Sequence, residues 1–291
     1  MTDVARNQVP AVYRRRIGEV LVTAICDGYV DAPFAALVGI DPPEAEALLK
    51  ADFRPAPPRI SVNCFLVQAG GRTAIIDTGS GDTMGPTLGK MPALLGHLGL
   101  TPGDIDTVLL THMHPDHSNG LTGPGGERLF PDAEIVVDEA DVRHWFDDGA
   151  RAKADESKQA RYFDEARRQI APYQDRRKST GKDVFPQVSA VPLGGHTPGH
   201  TGYLVESDGE ALLIWGDICH VPDIQVRNPG VTMAFDSDPE AAIAARRRAF
   251  DMAAADRLLV AGMHLHFPGF AYVGREGDGY RLIPESWRFE G

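Results

Sequence analysis

The stretch Thr111–Gly120, THMHPDHSNG, places three histidines and an aspartate within six consecutive positions. The chain has ten histidines in 291 residues, so this is a strong local enrichment of side chains that bind metals. The preceding segment, DIDTVLL, has the apolar composition of a short buried strand, and the proline within the cluster ends that strand. In an extended segment His112 and His114 lie on the same side, whereas Asp116 and His117 follow the bend. The stretch can therefore offer two ligands to one metal and two to a second.

The composition is that of an acidic, ordinary globular protein. Hydrophobic residues make up 43% and charged residues 24% of the chain, which is enough apolar material for a sizeable core. The formal net charge of −12 argues against a nucleic-acid partner, because nucleic-acid binding requires a basic surface. Short basic runs at 14–16 and 246–248 fit solvated faces or helix ends better than a phosphate groove.

Cysteine content and hydropathy indicate the compartment. Three scattered cysteines are too few for a disulfide framework. No apolar run has the length of a signal peptide or of a membrane-spanning helix. We therefore expect a cytoplasmic protein with reduced thiols and no membrane partner.

Apolar segments punctuated by glycine predict strands interrupted by helices. The clearest strands lie within ISVNCFLVQAGGRTAIIDTGSG, and the clearest helix is DPEAAIAARRRAFDMAAAD, with Asp238 as its N-cap and Pro239 in its first turn. Such alternation in both halves of the chain favours sheets packed between helices. The charged stretch at about 145–182 is expected to be a helical insertion with one apolar stripe, formed by Tyr162, Phe163, Ala166, Ile170 and Tyr173. It is either a lid or pocket wall, or a surface helix anchored by that stripe.

Three more apolar segments end on a residue that can bind a metal. LGGHTPGHT carries His196 directly after a strand, LLIWGD ends on Asp217, and LLVAGMH ends on His264. In LLIWGD, Gly216 permits close backbone approach. Any one of these residues could be a hydrogen-bonded core histidine or a capping aspartate. Four strand ends of this kind together indicate a metal site.

The series HxHxDH, then histidine, aspartate and histidine, resembles the metallo-β-lactamase superfamily, as does IIDTGSG at 75–81. The resemblance runs from about Val20 to Phe270. It implies an α/β (α+β) fold, a four-layer αββα sandwich with its metal site at one edge of the paired sheets. The chain would then be one domain, 1–291, with an N-terminal extension at about 1–60 and the helical insertion at about 145–182.

The resemblance also implies a ligand set for two divalent metal ions. The residues carried over are His112, His114 and His196 for the first metal, Asp116, His117 and His264 for the second, and Asp217 as the bridge. Imidazole and carboxylate ligands without thiolate suit Zn²⁺, and also Mn²⁺, Fe²⁺ or Co²⁺. Two such ions can share a hydroxide that attacks a substrate. Asp116 and His220 are the residues assigned to catalysis.

Within the superfamily, the closest resemblance is to quorum-quenching lactonases and methyl parathion hydrolases. GDICHVPDIQV, VTMAFDSDP and AGMHLHFPGF are most similar to the second group. His220 stands where acyl-homoserine lactonases usually carry tyrosine. His266 stands where the hydrolase group often has proline, which leaves it as an alternative to His264, the residue that directly ends its strand. The expected function is hydrolysis of a lactone, aryl ester or phosphotriester that is small, neutral and hydrophobic.

Two other classes of function stay open at the level of sequence. One is an iron-dependent redox enzyme of the same superfamily, similar to a sulfur dioxygenase, and the other is a non-catalytic metal-binding module. Both share much of the ligand set, so the motifs alone do not separate them from a hydrolase.

Several residues near the motifs have two interpretations each. His200 either orients a ligand or forms a hydrogen bond within its turn, and Asp77 is expected to support a ligand loop. Tyr29 and Phe34 either shape an apolar pocket or pack in the core or in a homodimer. Cys219 is expected to be a small buried hydrophobe.

Overall fold

Two seven-stranded sheets form the centre of the molecule. The computed structural model describes residues 11–289. The first sheet has the strand order β1 (Val12–Ile17), β2 (Val20–Asp31), β4 (Arg59–Ala69), β5 (Arg72–Ile76), β6 (Thr107–Leu109), β7 (Glu134–Val137) and β8 (Arg177–Ser179). The second has the order β16 (Gly279–Pro284), β15 (Phe270–Glu276), β14 (Leu259–Ala261), β12 (Glu210–Ile214), β11 (Thr201–Ser207), β10 (Val188–Pro192) and β9 (Asp183–Phe185). A separate pair consists of β3 (Leu37–Val38) and β13 (Thr232–Met233).

Helices cover the outer faces of both sheets. The α-helices are α1 (Pro42–Ala51), α2 (Met91–His97), α3 (Pro115–Ser118), α4 (Glu139–Trp145), α5 (Asp148–Lys153), α6 (Glu156–Lys158), α7 (Glu165–Ile170), α8 (Pro222–Gln225) and α9 (Pro239–Asp256). A π-helical segment, Gln159–Asp164, joins α6 to α7. Short 3₁₀ turns occupy Phe34–Ala36, Pro102–Asp104, Asn119–Leu121 and Ala171–Tyr173. Within residues 11–289, we find no helix with the length and apolar character needed to cross a membrane.

The alternation of side chains along the strands creates three apolar interfaces. On β4, Phe65 and Val67 point into the space between the two sheets, whereas Cys64 and Leu66 point to the helices outside the first sheet. The outer face of the second sheet packs on α9 through residues such as Phe250. Helix, sheet, sheet and helix thus form four layers, and the predicted αββα sandwich is confirmed.

Parallel strand pairs explain why the metal motifs meet. Strands β5, β6 and β7 pair in parallel, as do β12 and β14, so their carboxyl ends lie at one edge of each sheet. The segments that follow β5, β6, β12 and β14 carry Asp77, the histidine stretch at 112–117, Asp217 and His264, and His196 follows β10. Ligands commonly bind outside the carboxyl ends of parallel strands, and this edge is where the candidate site lies.

Two segments that were expected to be an N-terminal extension and a helical insertion contribute strands to the first sheet. Residues 12–31, within the segment predicted as an extension, form the antiparallel pair β1–β2, and β2 pairs with β4. Residues 177–179, near the end of the predicted helical insertion, form β8 and pair in parallel with β7. The insertion is therefore helical only up to its last 3₁₀ turn, because its end lies against an open sheet edge. The first ten residues and the last two lie outside the described part of the chain.

The predicted helix at 239–256 is confirmed, and Arg247 and Arg248 of its basic run are exposed, but Arg246 is not. Asp238 caps α9 by accepting a hydrogen bond from the amide of Ala241. Arg246 is buried, with only 1% of its surface exposed, and it donates hydrogen bonds to the carbonyl oxygens of Ile218, Pro229 and Val231. It thereby ties α9 to the segment that follows β12. Burial lowers the pKa of its guanidinium.

The first basic run is also partly buried. Arg15 donates to Glu285 at 2.9 Å and lies 3.3 Å from Glu210, so it joins β1 to the C-terminal segment and to β12. The expectation of solvated runs is wrong at these two arginines because each lies on the inward face of its element, where carbonyl or carboxylate oxygens satisfy the charge.

We predict that Arg246→Leu lowers the free energy of unfolding by roughly 3 kcal/mol, because three buried carbonyl groups lose their donor. Arg248→Leu is the matched control, since Arg248 is exposed on the same helix, and its change should be within about 0.5 kcal/mol. Urea denaturation of both variants measures the difference. Equal stability of the two variants would contradict the anchoring role of Arg246.

Candidate metal centre

The loops after four strands bring imidazoles and carboxylates into one cluster. Ligand atoms within 4.8 Å of one another define three groups: His112, His114, His196 and Asp217; Asp116, His117 and His264; and Asp217, His220 and His264. Pro115 begins α3, so its first turn presents Asp116 and His117 directly after the extended segment that carries the first two histidines. The structure therefore brings together all eight residues singled out as ligands or catalytic groups.

Asp217 lies at the centre of this cluster. Its Oδ2 atom is 3.0–3.6 Å from the Nε2 atoms of five imidazoles, those of His112, His117, His196, His220 and His264. Only 3% of the Asp217 surface is exposed, and its Oδ1 atom has no hydrogen-bond partner among residues 11–289. A buried carboxylate surrounded by imidazole nitrogens is an arrangement that can hold a cation.

The unpartnered atoms of the cluster fit a metal. The Nε2 atoms of His112 and His117 are buried and have no hydrogen-bond partner in the described part of the chain. His114 turns its Nδ1 atom to the centre instead, 2.9 Å from His196 Nε2. Buried polar atoms are rarely left without a partner, and a cation among these nitrogens and the Asp217 oxygens would satisfy them together.

The outward nitrogens of the same histidines are held by other elements. His117 Nδ1 lies 2.7 Å from Asp77 Oδ2, and His196 Nδ1 lies 2.7 Å from Asp236 Oδ1. His264 Nδ1 donates to the carbonyl oxygen of Ser61 at 2.8 Å. A donor proton fixed on Nδ1 leaves the lone pair on Nε2, which is the form that binds a metal.

Asp77 has the supporting role that the sequence predicts. Its carboxylate accepts hydrogen bonds from the amide and the hydroxyl of Thr111, at 2.8 and 2.7 Å, in addition to contacting His117. The residue is fully buried and has a φ of 58°, which a short polar side chain tolerates. One carboxylate thus fixes the start of the histidine loop and the ring of one histidine in it.

Sequence reasoning missed two other supporting carboxylates. Asp236 lies within VTMAFDSDP, but nothing local indicates that it pairs with His196, 40 residues earlier. Asp141 accepts hydrogen bonds from the amides of Met113 and Gly199 and from Trp145 Nε1. It joins the two histidine loops to α4, although its sequence context is that of an ordinary helical aspartate.

His200 supports Asp217 rather than His196. Its Nδ1 donates to the carbonyl oxygen of Leu193, and its Nε2 accepts the amide proton of Asp217 at 2.8 Å. Burial lowers its pKa to about 3, so the ring is neutral. A Cβ atom on Gly216 would lie 2.3 Å from this Nε2 atom, so glycine is required at that position.

The choice between His264 and His266 is settled by geometry. His264 enters the cluster, whereas His266 Nε2 faces Asp223 Oδ2 at 2.8 Å, outside it. Cys219 is fully buried in the apolar layer between the second sheet and α9, as predicted. Neither Tyr29 nor Phe34 lines the cavity over the cluster: Arg59 stacks on the Tyr29 ring, and Phe34 packs on a small core beside α1.

The electrostatics of the cluster centre on Asp217. Although burial opposes it, the surrounding imidazoles hold the pKa of Asp217 well below its usual range. Burial also opposes charge on His117, but the carboxylates of Asp217, Asp116 and Asp77 raise the pKa of its ring. Burial lowers the pKa of His112 and His114, and it lowers that of His220 to about 4. Although burial opposes it, Asp217 and Asp236 raise the pKa of His196 to about 9, and Asp217 and Asp116 raise the pKa of His264. The carboxylates therefore favour positive charge at three of the six rings, which suits a cation.

A cavity of about 340 Å³ lies over the cluster. Its floor includes His114, Asp116, Asp217, His220 and His264. Most of its wall is apolar and consists of Val30, Ala32, Pro33, Ala36, Ile60, Met84, Pro115 and Phe235. The remaining lining residues are Asp31 and two consecutive residues of the π-helical segment, Arg161 and Tyr162. The cavity has room for a small, mainly apolar molecule in contact with the cluster.

Two packed sheets with a buried histidine and aspartate cluster at their shared edge define a metal-site protein of the αββα class. The chain belongs to the metallo-β-lactamase superfamily, whose family profile matches residues 57–264. The resemblance deduced from HxHxDH is thereby confirmed.

Solved structures with the same architecture include hydrolases and lactonases. The crystal structure of the hydrolase AbOPH in the beta lactamase superfamily is 31% identical, covers 97% of this chain and 100% of its own, and superposes with a TM-score of 0.91. AidC, a dizinc quorum-quenching lactonase, shares the fold at 23% identity, with 97% of this chain and 100% of AidC covered and a TM-score of 0.90.

Curated relatives match over only part of their length. The N-acyl homoserine lactonase AiiB of Agrobacterium fabrum is 33% identical over 88 residues, which are 24% of this chain and 32% of AiiB. The protein YobT of Bacillus subtilis is 26% identical over 161 residues, 55% of this chain and 63% of YobT. The chain thus covers less than two thirds of each of these relatives.

We predict that Asp77→Asn lowers metal affinity about 10- to 100-fold, the usual effect of losing a carboxylate that orients a ligating histidine. The matched control is Asp223→Asn, which alters a carboxylate–histidine pair outside the cluster. Competition with a chromophoric chelator measures both affinities. If the two variants retain metal equally well, the Asp77–His117 contact does not support metal binding.

Proposed function

We propose that this protein is a dinuclear metal-dependent hydrolase of lactones, aryl esters or phosphotriesters. The observation that carries the proposal is the position of Asp217, whose single buried Oδ2 atom lies within 3.6 Å of five imidazoles beneath an apolar cavity. Two solved structures similar to this chain, the hydrolase AbOPH and the dizinc lactonase AidC, support the same class of reaction.

The residues of the cluster divide into two sets. His112, His114 and His196 would hold the first ion, Asp116, His117 and His264 the second, and Asp217 both. The donor set of imidazole and carboxylate groups favours Zn²⁺, with Mn²⁺, Fe²⁺ and Co²⁺ as alternatives. When bound, such ions polarise a carbonyl or phosphoryl oxygen and make water acidic enough to react near neutral pH.

Side chains around the cavity can orient the substrate and accept or donate protons. Asp116 is the most exposed carboxylate of the cluster, with 17% of its side chain accessible, so its Oδ2 can accept a proton released in the cavity. His220 lines the cavity, and its Nδ1 has no hydrogen-bond partner among the described residues. Its neutral ring can donate a hydrogen bond to the scissile carbonyl or to the leaving oxygen.

The apolar walls of the cavity and the negative charge of the chain limit the chemical groups that can bind next to the cluster. Residues such as Ile60 and Phe235 exclude water and contact apolar groups. The formal net charge of −12 repels polyanions such as RNA. We therefore propose that a neutral, largely apolar ester or lactone group occupies the space next to the cluster.

Metal content tests the two-ion assignment. We expect about two equivalents of metal per chain after reconstitution and dialysis, as two-metal sites require. Asp217→Ala should abolish turnover and reduce bound metal, because it removes the carboxylate shared by both sets of ligands. His220→Ala should retain the metal and change only rate or substrate preference. A single equivalent with full activity, or equal metal loss in both variants, would contradict the division into ligands and cavity residues.

Substrate class is tested by one screen at fixed metal loading. The protein should hydrolyse lactones, aryl esters or phosphotriesters, and chelation followed by dialysis should remove the activity. RNA serves as the polyanionic comparison, and an oxygen electrode detects redox chemistry. RNA cleavage or oxygen consumption without ester or lactone hydrolysis would overturn the proposed function.

A further inference from the structure

One wall of the cavity carries polar groups that the proposed reaction does not use. The π-helical segment Gln159–Asp164 contributes both Arg161 and Tyr162 to the lining. π-Helical turns are rare and often mark functional sites. Tyr162 packs against His114, with ring centroids 5.1 Å apart, so this wall is in direct contact with the cluster.

Arg161 is an exposed cation with no ion-pair partner among residues 11–289. The other arginines of the same insertion up to residue 170 each bind a carboxylate: Arg151 binds Asp164, Arg167 binds Asp148, and Arg168 binds Glu165. Asp31, which also lines the cavity, is paired with Arg59 at 2.7 Å. The rim of the cavity therefore presents one uncompensated positive charge.

The hydroxyl of Tyr162 is also without a hydrogen-bond partner in the described part of the chain. By contrast, the buried hydroxyls of Tyr173 and Tyr203 each donate to a backbone carbonyl oxygen. The guanidinium carbon of Arg161 lies 5.8 Å from the centre of the Tyr162 ring. Two neighbouring residues with unpartnered donor groups thus line the same cavity.

Arg161 also lies on the boundary between two spaces. An adjoining groove of about 570 Å³ shares Val30, Met84, Pro115 and Arg161 with the cavity over the cluster. Its other lining residues include the polar side chains of Thr83, Asn119, Ser157 and Glu165. A molecule longer than the cavity would pass Arg161 on its way into this groove.

We infer that Arg161 and Tyr162 form an anion subsite that selects esters or lactones carrying a carboxylate at the end of an apolar spacer. The inference rests on the proposed hydrolase function and specifies its substrate class. The apolar walls would contact the spacer, the cluster would face the scissile group, and the guanidinium and phenol would donate hydrogen bonds to the carboxylate. Charge-assisted hydrogen bonds of this kind are stronger than neutral ones.

Two esters of equal length test the subsite. One is 4-nitrophenyl hexanoate, and the other is the 4-nitrophenyl half-ester of adipic acid, which has a carboxylate in place of the terminal methyl group. We expect Arg161→Gln to lower the ratio of kcat/KM for the charged ester to that for the neutral ester roughly fivefold, mainly through KM. Arg161→Lys should keep part of the preference, Tyr162→Phe should reduce it less, and added salt should weaken it.

Lys158→Gln is the matched control, because it removes one positive charge from the same exposed region without lining either space. It should leave the ratio unchanged. Binding of the corresponding 4-nitroanilides, measured by calorimetry, gives the same comparison without turnover. A ratio that is insensitive to Arg161→Gln, or equally sensitive to Lys158→Gln, would overturn the anion subsite. Anilide binding that depends on Arg161, with no hydrolysis of either ester or of the lactones and phosphotriesters in the screen, would keep the subsite and reject the hydrolase function.

Discussion

The burial of one carboxylate, Asp217, sets the constraint on which the site depends. An ionised carboxylate removed from water loses several kcal/mol of solvation unless partners replace the water. Hydrogen-bond donors of the protein suffice for an ordinary buried aspartate. Asp27, for example, accepts hydrogen bonds from the amides of Ser80, Gly89 and Met91 and from the Ser80 hydroxyl. Asp217 instead has one oxygen facing five imidazoles and another with no hydrogen-bond partner within residues 11–289. Only cations or protons complete such an arrangement.

The residues that hold the histidines of the cluster in place belong to elements far apart in the sequence. His117 is fixed by Asp77 after β5, His264 by Ser61 in β4, and His196 by Asp236 before α9. His200 fixes the backbone of Asp217 itself. The two sheets, packed on each other through a common apolar layer, hold these anchors at constant separation. Metal binding and the stability of the sandwich are therefore coupled, since the same carboxylates and carbonyl groups serve both.

Local periodicity predicted strands interrupted by helices, whereas the four-layer αββα arrangement was implied by the family resemblance that the spaced motifs carry. The sequence favoured His264 over His266 because His264 directly ends its strand, and in the structure His264 faces the cluster while His266 faces Asp223. Asp236 was missed because its partner lies 40 residues away. Arg246 is a different case, because it shares a helical stripe with Ala242, Ala249 and Ala253. That spacing can be read from the sequence, but the three consecutive arginines were interpreted as exposed because of their charge.

The helical insertion contacts the cluster and lines part of the cavity over it. Asp141 links Met113 in the histidine loop to Trp145 at the end of α4, and Tyr162 packs on His114 from the π-helical turn. The two interpretations of the apolar stripe are thus compatible: buried residues such as Phe163 and Ile170 anchor the segment, and the residues beside them line the cavity. The anchoring residues and the cavity-lining residues are therefore different side chains of one segment, and Tyr162 connects that segment to His114.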